Sequence, residues 1–286
     1  MSEPATQPIP LPQIRALGET SRKDAWWLQP VATFAGLFAF IVYSTWAAFQ
    51  GAHYWVDLNG AHYLSPMYSP VIFDAVGQHS GHAWFGQPPE WLVKLFPAFI
   101  GFSPALLILW APAGFRFTCY YYRGAYYKSF WGDPLSCSVG EPGFRKEKYR
   151  GENSFPLIFQ NIHRYFLYLA LVFIVLLAYD AVISYTFTGA DGQRHFGVGV
   201  GSLVLTINPI LLGGYTFGCH SLRHLIGGKH DCVSTCSSAR KSAYGGVSCL
   251  NRKHMLFAWM SLFWVGFTDV YVRLVSMGVW TDWRII

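Results

Sequence analysis

The sequence predicts an all-α integral membrane protein, a bundle of five transmembrane helices with its amino terminus in the cytoplasm and its carboxyl terminus outside. Three observations predict it. Of 286 residues, 52% are hydrophobic and only 13% charged, against roughly 25% charged in an ordinary soluble domain. The apolar residues gather into five runs, approximately 27–49, 91–113, 155–187, 198–220 and 255–279, and about 20 residues suffice to cross about 30 Å of hydrocarbon at about 1.5 Å per residue. Lys and Arg number three before the first run, seven from Arg116 to Arg150 and six from Arg223 to Lys253, 16 of the 21 in all, while Gln50 to Glu90 has none. That alternation is the positive-inside pattern.

Residues 1–26 are polar and carry Pro4, Pro8, Pro10 and Pro12. Lacking an apolar core, they are expected to be a cytoplasmic segment and not a cleavable signal, so the first helix serves as the insertion signal. Residues 27–286 are expected to form one transmembrane domain. Backbone polar groups in lipid must be satisfied internally, and the runs show no period-2 alternation, so helices are expected and not barrel strands.

The first connection is aromatic and turn-rich, with the run Leu64-Ser-Pro-Met-Tyr-Ser-Pro70 and His53, His62, His79 and His82. Its histidine spacing matches no common metal pattern, and an interfacial loop is expected. After the second run, basic and aromatic residues alternate from Arg116 to Trp131 around a short helix suited to the headgroup layer. Asp133-Pro134 ends it. The polar stretch from Glu141 to Asn153 reads equally well as a docking surface or a solvated loop. Gly197-Val-Gly-Val-Gly201 imitates a nucleotide loop, but no strand precedes it and it opens a helix, so small-residue packing is expected. The last connection, Gly227 to Lys253, contains His230-Asp-Cys232-Val-Ser-Thr-Cys236, which lacks the paired spacing of a zinc clip.

The net charge of +6 sits where membrane topology places it, which excludes a nucleic-acid partner. All six cysteines, Cys119, Cys137, Cys219, Cys232, Cys236 and Cys249, fall on the expected cytoplasmic side. Reducing conditions there make them free thiols, or ligands of a soft metal or iron–sulfur centre.

Histidines inside or beside lipid-spanning helices are costly unless they are used or paired. His163 lies about two turns into the third helix, His220 and His224 share one face at i, i+4 near the end of the fourth, and His254 starts the fifth. With Cys119, Cys219 and Cys137 they form one layer of soft or borderline ligands at the cytoplasmic level. Two cofactors suit such a layer. Haem b takes two axial histidines from facing helices, for instance His163 with His220 or His224; a Rieske-type [2Fe-2S] centre takes two thiolates on one iron and two imidazoles on the other. Deeper in the membrane, Asp269 and Arg273 are i, i+4 on the last helix and Asp180 lies on the third. A neutralising pair or triad is expected, with a proton path as the alternative. Gln160 and Arg164, together with Asn161, and the basic and aromatic Arg123 and Trp131 are candidates to meet a quinone.

The runs Thr118-Cys-Tyr-Tyr-Tyr-Arg123, Phe155 to Tyr165, Gly214 to His224, Asn251-Arg-Lys-His254 and Thr281-Asp-Trp283 resemble the single-chain, five-helix membrane anchors of actinobacterial succinate dehydrogenases, over nearly the whole chain. The resemblance implies a complex in the bacterial plasma membrane. In it a flavoprotein subunit with FAD oxidises succinate, an iron–sulfur subunit relays electrons, and menaquinone is reduced at the anchor. It also implies a Rieske-type [2Fe-2S] centre in place of haem, and leaves open a higher oligomer of the complex. Within that layer Cys119, Cys219, His163 and His224 are preferred as ligands, ahead of Cys137, His220 and His254. The chain has no dinucleotide fold and no ferredoxin cysteine spacing, so it does not oxidise succinate alone. A transporter would need paired repeats and interrupted helices, and Pro209 with Gly213 and Gly214 is the sole such interruption. A bare tether would carry no cofactor.

Overall fold

A computed structural model of the chain describes residues 23–97, 100–130, 157–189, 191–228 and 237–286. Trp131, Cys137, Glu141 to Asn153 and the run from His230 to Cys236 lie outside the described residues, as do residues 1–22 and the side chains of Arg123 and Gln160. Among the described residues, four helices are long and apolar enough to cross a membrane: α1 (Leu28–Gln50), α6 (His163–Ile183), α7 (Val200–Phe217) and α10 (His254–Ser276). Each overlaps a predicted apolar run, α6 and α7 being shorter than theirs at both ends and α1 and α10 slightly displaced.

The second predicted helix, 91–113, is corrected by the structure. The segment is divided into α2 (Glu90–Lys94), α3 (Ala105–Ile108) and α4 (Trp110–Phe117). Pro97, Gly101 at φ +72° and Pro104 break the backbone between α2 and α3, because proline cannot continue a helix and a left-handed residue ends one. The helical stretch thus begins 14 residues later than expected, at Ala105 and not Trp91. It runs on through a bend at Thr118 and Cys119 into α5 (Tyr120–Phe130). A 3-10 turn, Leu157–Ile162, leads into α6, and two further helices, α8 (His220–Gly227) and α9 (Ser238–Arg252), occupy the connection before α10.

α7 is the centre of the bundle, packed between α6 and α10, with α4 against α6 and α1 leaning on α5, α10 and α3. Gly214 lets α7 approach α10 closely: a Cβ there would run into the Phe257 ring. Gly201 does the same against Tyr63, so the Gly-Val-Gly-Val-Gly run is indeed packing, against a loop and not a second span.

The aromatic first connection is built differently from the expected interfacial loop. β1 (Trp55–Leu58) and β2 (Ala61–Leu64) pair antiparallel through the two-residue turn Asn59-Gly60, both at positive φ (52° and 85°), as a hairpin turn of the primed type requires. A second hairpin, β3 (Thr186–Thr188) with β4 (Arg194–Phe196), lies beside it. Between α1 and α2 the run after β2 plugs this end of the bundle. Ser65, Met67, Tyr68 and Ser69 are at most 2% exposed, and the Tyr68 hydroxyl donates to the Ala47 carbonyl at 2.6 Å while accepting from the Gly51 amide at 3.0 Å. Groups left over by the end of α1 are thereby satisfied.

Buried charges are held at the same end. Asp269 pairs with Arg273 at 3.3 Å and accepts from Tyr43 and Ser65; Arg273 also donates to the Ala52 carbonyl at 2.9 Å. Asp180 is not part of this pair and accepts from Ser69, so of the expected pair or triad the structure forms the pair, with a separate carboxyl. From the carboxyl-terminal segment, Asp282 accepts from the Gly201 amide at 2.7 Å, Tyr271 at 2.5 Å and Tyr63 at 2.8 Å. One carboxylate so caps the start of α7 and ties it to α10 and the first hairpin.

Candidate redox site

At the end opposite the hairpins, four helix starts meet. Cys119 occupies the non-helical joint between α4 and α5, and Cys219 the joint between α7 and α8. His163 and His254 are the first residues of α6 and α10. Each side chain therefore sits at the amino-terminal end of a helix, where unpaired amides and the helix dipole favour negative charge. Thiolates and a reduced redox group gain from that placement.

The two thiols face the two imidazoles. His163 Nε2 lies 3.1 Å from Cys219 Sγ, and His254 Nε2 lies 3.6 Å from Cys119 Sγ. Both cysteines are at most 2% exposed and His163 is 5% exposed. The Thr118 hydroxyl is 2.8 Å from His163 Nδ1 and fixes the ring with Nε2 toward the thiol, the outer contact that orients a ligating imidazole. Phe115 stacks on His163 at 4.7 Å between centroids and Tyr215 on His254 at 4.9 Å, so each ring is clamped on a face. His254 Nδ1 is buried beside the Tyr215 backbone, with no partner of strict hydrogen-bonding geometry among the described residues. Burial pushes the Cys219 thiol up to about 11, and the Cys119 thiol opposite adds to the rise, while the Ser221 and Leu222 amides pull the other way. As a protein thiol Cys219 stays protonated; a metal ion would reverse that.

Arg116 was not singled out in the sequence. Its guanidinium donates to Tyr122 Oη at 2.9 Å, the Ala258 carbonyl at 3.2 Å and Ser261 Oγ at 3.0 Å, and lies 4.9 Å from the Tyr215 ring centroid. A cation is thus held against the aromatic wall of the site. The available signal was its position, a lone positive charge three residues before Cys119 at the end of an apolar run.

The remaining candidates fall elsewhere. His220 and His224 are exposed on α8, their ring centroids 6.4 Å apart, because the chain turns at Gly218 and Cys219 into a helix that packs Leu222 and Leu225 against the bundle and leaves these histidines on its outer face. His254 stands where His224 was preferred. Arg164 and Asn161 are exposed, and Cys249 is an exposed thiol on α9. In the first connection His62 and His82 meet edge to face at 5.1 Å. Among the described residues, no group of three or more His, Cys, Asp or Glu side chains converges on a single ion position. The four residues at the helix starts instead form two facing thiol–imidazole pairs. In number and kind they fit a binuclear centre of the Rieske type, which divides two thiolates and two imidazoles between two irons.

Comparison with known proteins gives the family. The family described as actinobacterial succinate dehydrogenase subunit SdhC matches residues 28–278. The chain belongs to this SdhC family. Among solved structures it is similar to a chain of the Mycobacterium smegmatis Sdh1 complex in the apo form, with 41% identity, a TM-score of 0.78, and coverage of 96% of this chain and 97% of that one. No curated protein matches it. As an SdhC protein the chain is a membrane anchor of a succinate dehydrogenase, an oxidoreductase, and a multi-pass protein of the bacterial plasma membrane.

Proposed function

We propose that this SdhC chain carries electrons from an iron–sulfur partner subunit to a quinone of the menaquinone class, and that Cys119, Cys219, His163 and His254 hold a Rieske-type [2Fe-2S] centre. Two electrons and two protons leave succinate in a flavoprotein partner, and two of each convert the quinone to its quinol. The complex named in the similar structure supports partners of this kind. When bound, such a centre supplies one-electron transfer. The chain's own residues do the rest. Thr118 fixes the tautomer of His163; Phe115 and Tyr215 exclude water and clamp the imidazoles. Four helix starts lower the cost of negative charge at the thiolates. The observation that carries this reading is the facing of two buried thiols and two imidazoles from four separate helix starts. Haem b is disfavoured because thiols, and not a second imidazole, face each histidine.

The test is paramagnetic resonance of the purified three-subunit complex after reduction. The proposal expects a spectrum with an average g below the free-electron value, as imidazole-ligated [2Fe-2S] centres give, lost in Cys119→Ser and His254→Ala and retained in His224→Ala. Paired visible haem bands, or a signal that survives His254→Ala, would refute it.

A further inference from the structure

Tyr215 touches both halves of the redox layer. Its ring stacks on His254 at 4.9 Å between centroids and meets Phe115, which stacks on His163, edge to face at 5.3 Å. The side chain is 1% exposed, so its hydroxyl is shut off from bulk water and loses free energy unless the protein supplies an acceptor. Among the described residues it has no partner of strict hydrogen-bonding geometry.

The polar groups around that hydroxyl narrow the choice. Arg116, whose guanidinium lies 4.9 Å from the ring centroid, can only donate. The Tyr122 hydroxyl is engaged both ways, donating to the Ala258 carbonyl at 2.6 Å and accepting from Arg116 at 2.9 Å. Cys119 remains, with its sulfur beside the Tyr215 hydroxyl. A thiol is a weak acceptor, whereas a thiolate is charged and a far better one. The hydroxyl therefore comes into use when Cys119 is a ligand. Cys219 Sγ is served differently, by the Ser221 amide at 3.4 Å. Each sulfur so has a donor of its own, one from the backbone and one from a side chain that substitution can remove. Hydrogen bonds to ligand sulfurs, like nearby positive charge, favour the more negative, reduced form of an iron–sulfur centre.

We propose that Tyr215 is a positioning residue of the redox site: its hydroxyl donates to Cys119 Sγ and, with the Arg116 cation against its ring, raises the midpoint potential at which the proposed centre takes up an electron. The inference rests on the reading of Cys119, Cys219, His163 and His254 as ligands. The iron–sulfur partner gives up one electron and the centre gains it. No bond forms or breaks, and the hydroxyl proton stays on Tyr215.

The test is a redox titration of the paramagnetic signal in the complete complex. Tyr215→Phe keeps the ring on His254 and deletes only the hydroxyl. The signal and the bound iron are expected to persist, with the ratio of reduced to oxidised centre at a fixed potential about tenfold lower, a fall of about 59 mV in midpoint for one electron. A deuteron coupling seen by pulsed resonance in deuterium oxide should vanish with the hydroxyl. Arg116→Met should lower the midpoint as well, and Arg116→Lys, which keeps the charge, should hold it near the unmutated value. An unmoved midpoint in Tyr215→Phe overturns the proposal, as does loss of the bound iron, which would make the residue a support of ligation and not of potential.

Should Tyr215→Phe fail to assemble, a ring-fluorinated tyrosine placed at 215 keeps the shape and strengthens the donor. The midpoint should then rise, and no rise overturns the proposal. An unmutated complex without the paramagnetic signal defeats the ligand reading and this inference together, whereas a signal indifferent to position 215 defeats this inference alone.

Discussion

Thr118 supplies a hydrogen bond that orients His163 without touching a thiol, so its removal separates geometry from ligation. Thr118→Val keeps the size of the side chain and deletes the contact at 2.8 Å; loss of such an outer partner commonly costs about 10–100-fold in metal affinity or activity. A redox titration of the signal in that variant should show a displaced midpoint potential, with dye reduction by the partner subunits intact. Asp269 and Arg273 make a second residue-scale prediction. Both are buried, at 0% and 5% exposure, and removing one member of a buried pair costs about 3–5 kcal/mol. Thermal unfolding of the complex should fall sharply in Asp269→Ala and recover in the double variant Asp269→Leu, Arg273→Met. Much of the candidate site was legible because charge asymmetry fixed a depth, and Cys119, Cys219, His163 and His254 all belong to that depth. The structure sets His224 apart from the two thiols for a local reason. An i, i+4 histidine pair looks like a ligand motif when the helix is taken as continuous, whereas Gly218 and Cys219 end α7 and give His220 and His224 to a separate, exposed helix.

The same joints explain what was readable among the elements. α1, α6, α7 and α10 announce themselves because an uninterrupted apolar run of that length has no other stable place. Hydropathy is blind to breaks inside such a run, and Pro97, Gly101 and Pro104 separate the short α2 from α3 and α4 within the second run. Asn59-Gly60, flanked by alternating residues, did signal the first hairpin, but an aromatic loop between membrane spans invites an interfacial reading. Two element-scale predictions follow from contacts. Gly214→Val pushes a branched side chain toward Phe257, and overpacking of this sort costs about 1–3 kcal/mol; the yield of assembled complex should drop, more so than for Gly245→Val, whose Cβ position is open. Asp282→Ala removes the distant cap of α7, worth about 1 kcal/mol, and strands the hydroxyls of Tyr63 and Tyr271. Amide exchange over residues 200–203 should quicken.

For the whole molecule, the charge pattern commits both termini. A periplasmic phosphatase fused after Ile286 should be active and one fused before Met1 inactive, with a cytoplasmic fluorescent reporter giving the reverse; equal activity at the two ends would contradict the positive-inside assignment. Each cysteine lies at the joint of two helices and each histidine at the head of one, and along the chain the two kinds alternate at positions 119, 163, 219 and 254. Synthesis therefore delivers Cys219 to His163 while the companion of Cys119 is still unmade, since it opens the last helix. On a nascent polypeptide the proposed centre therefore lacks its last ligand, and the proposal places iron loading after the final segment, α10, has been made.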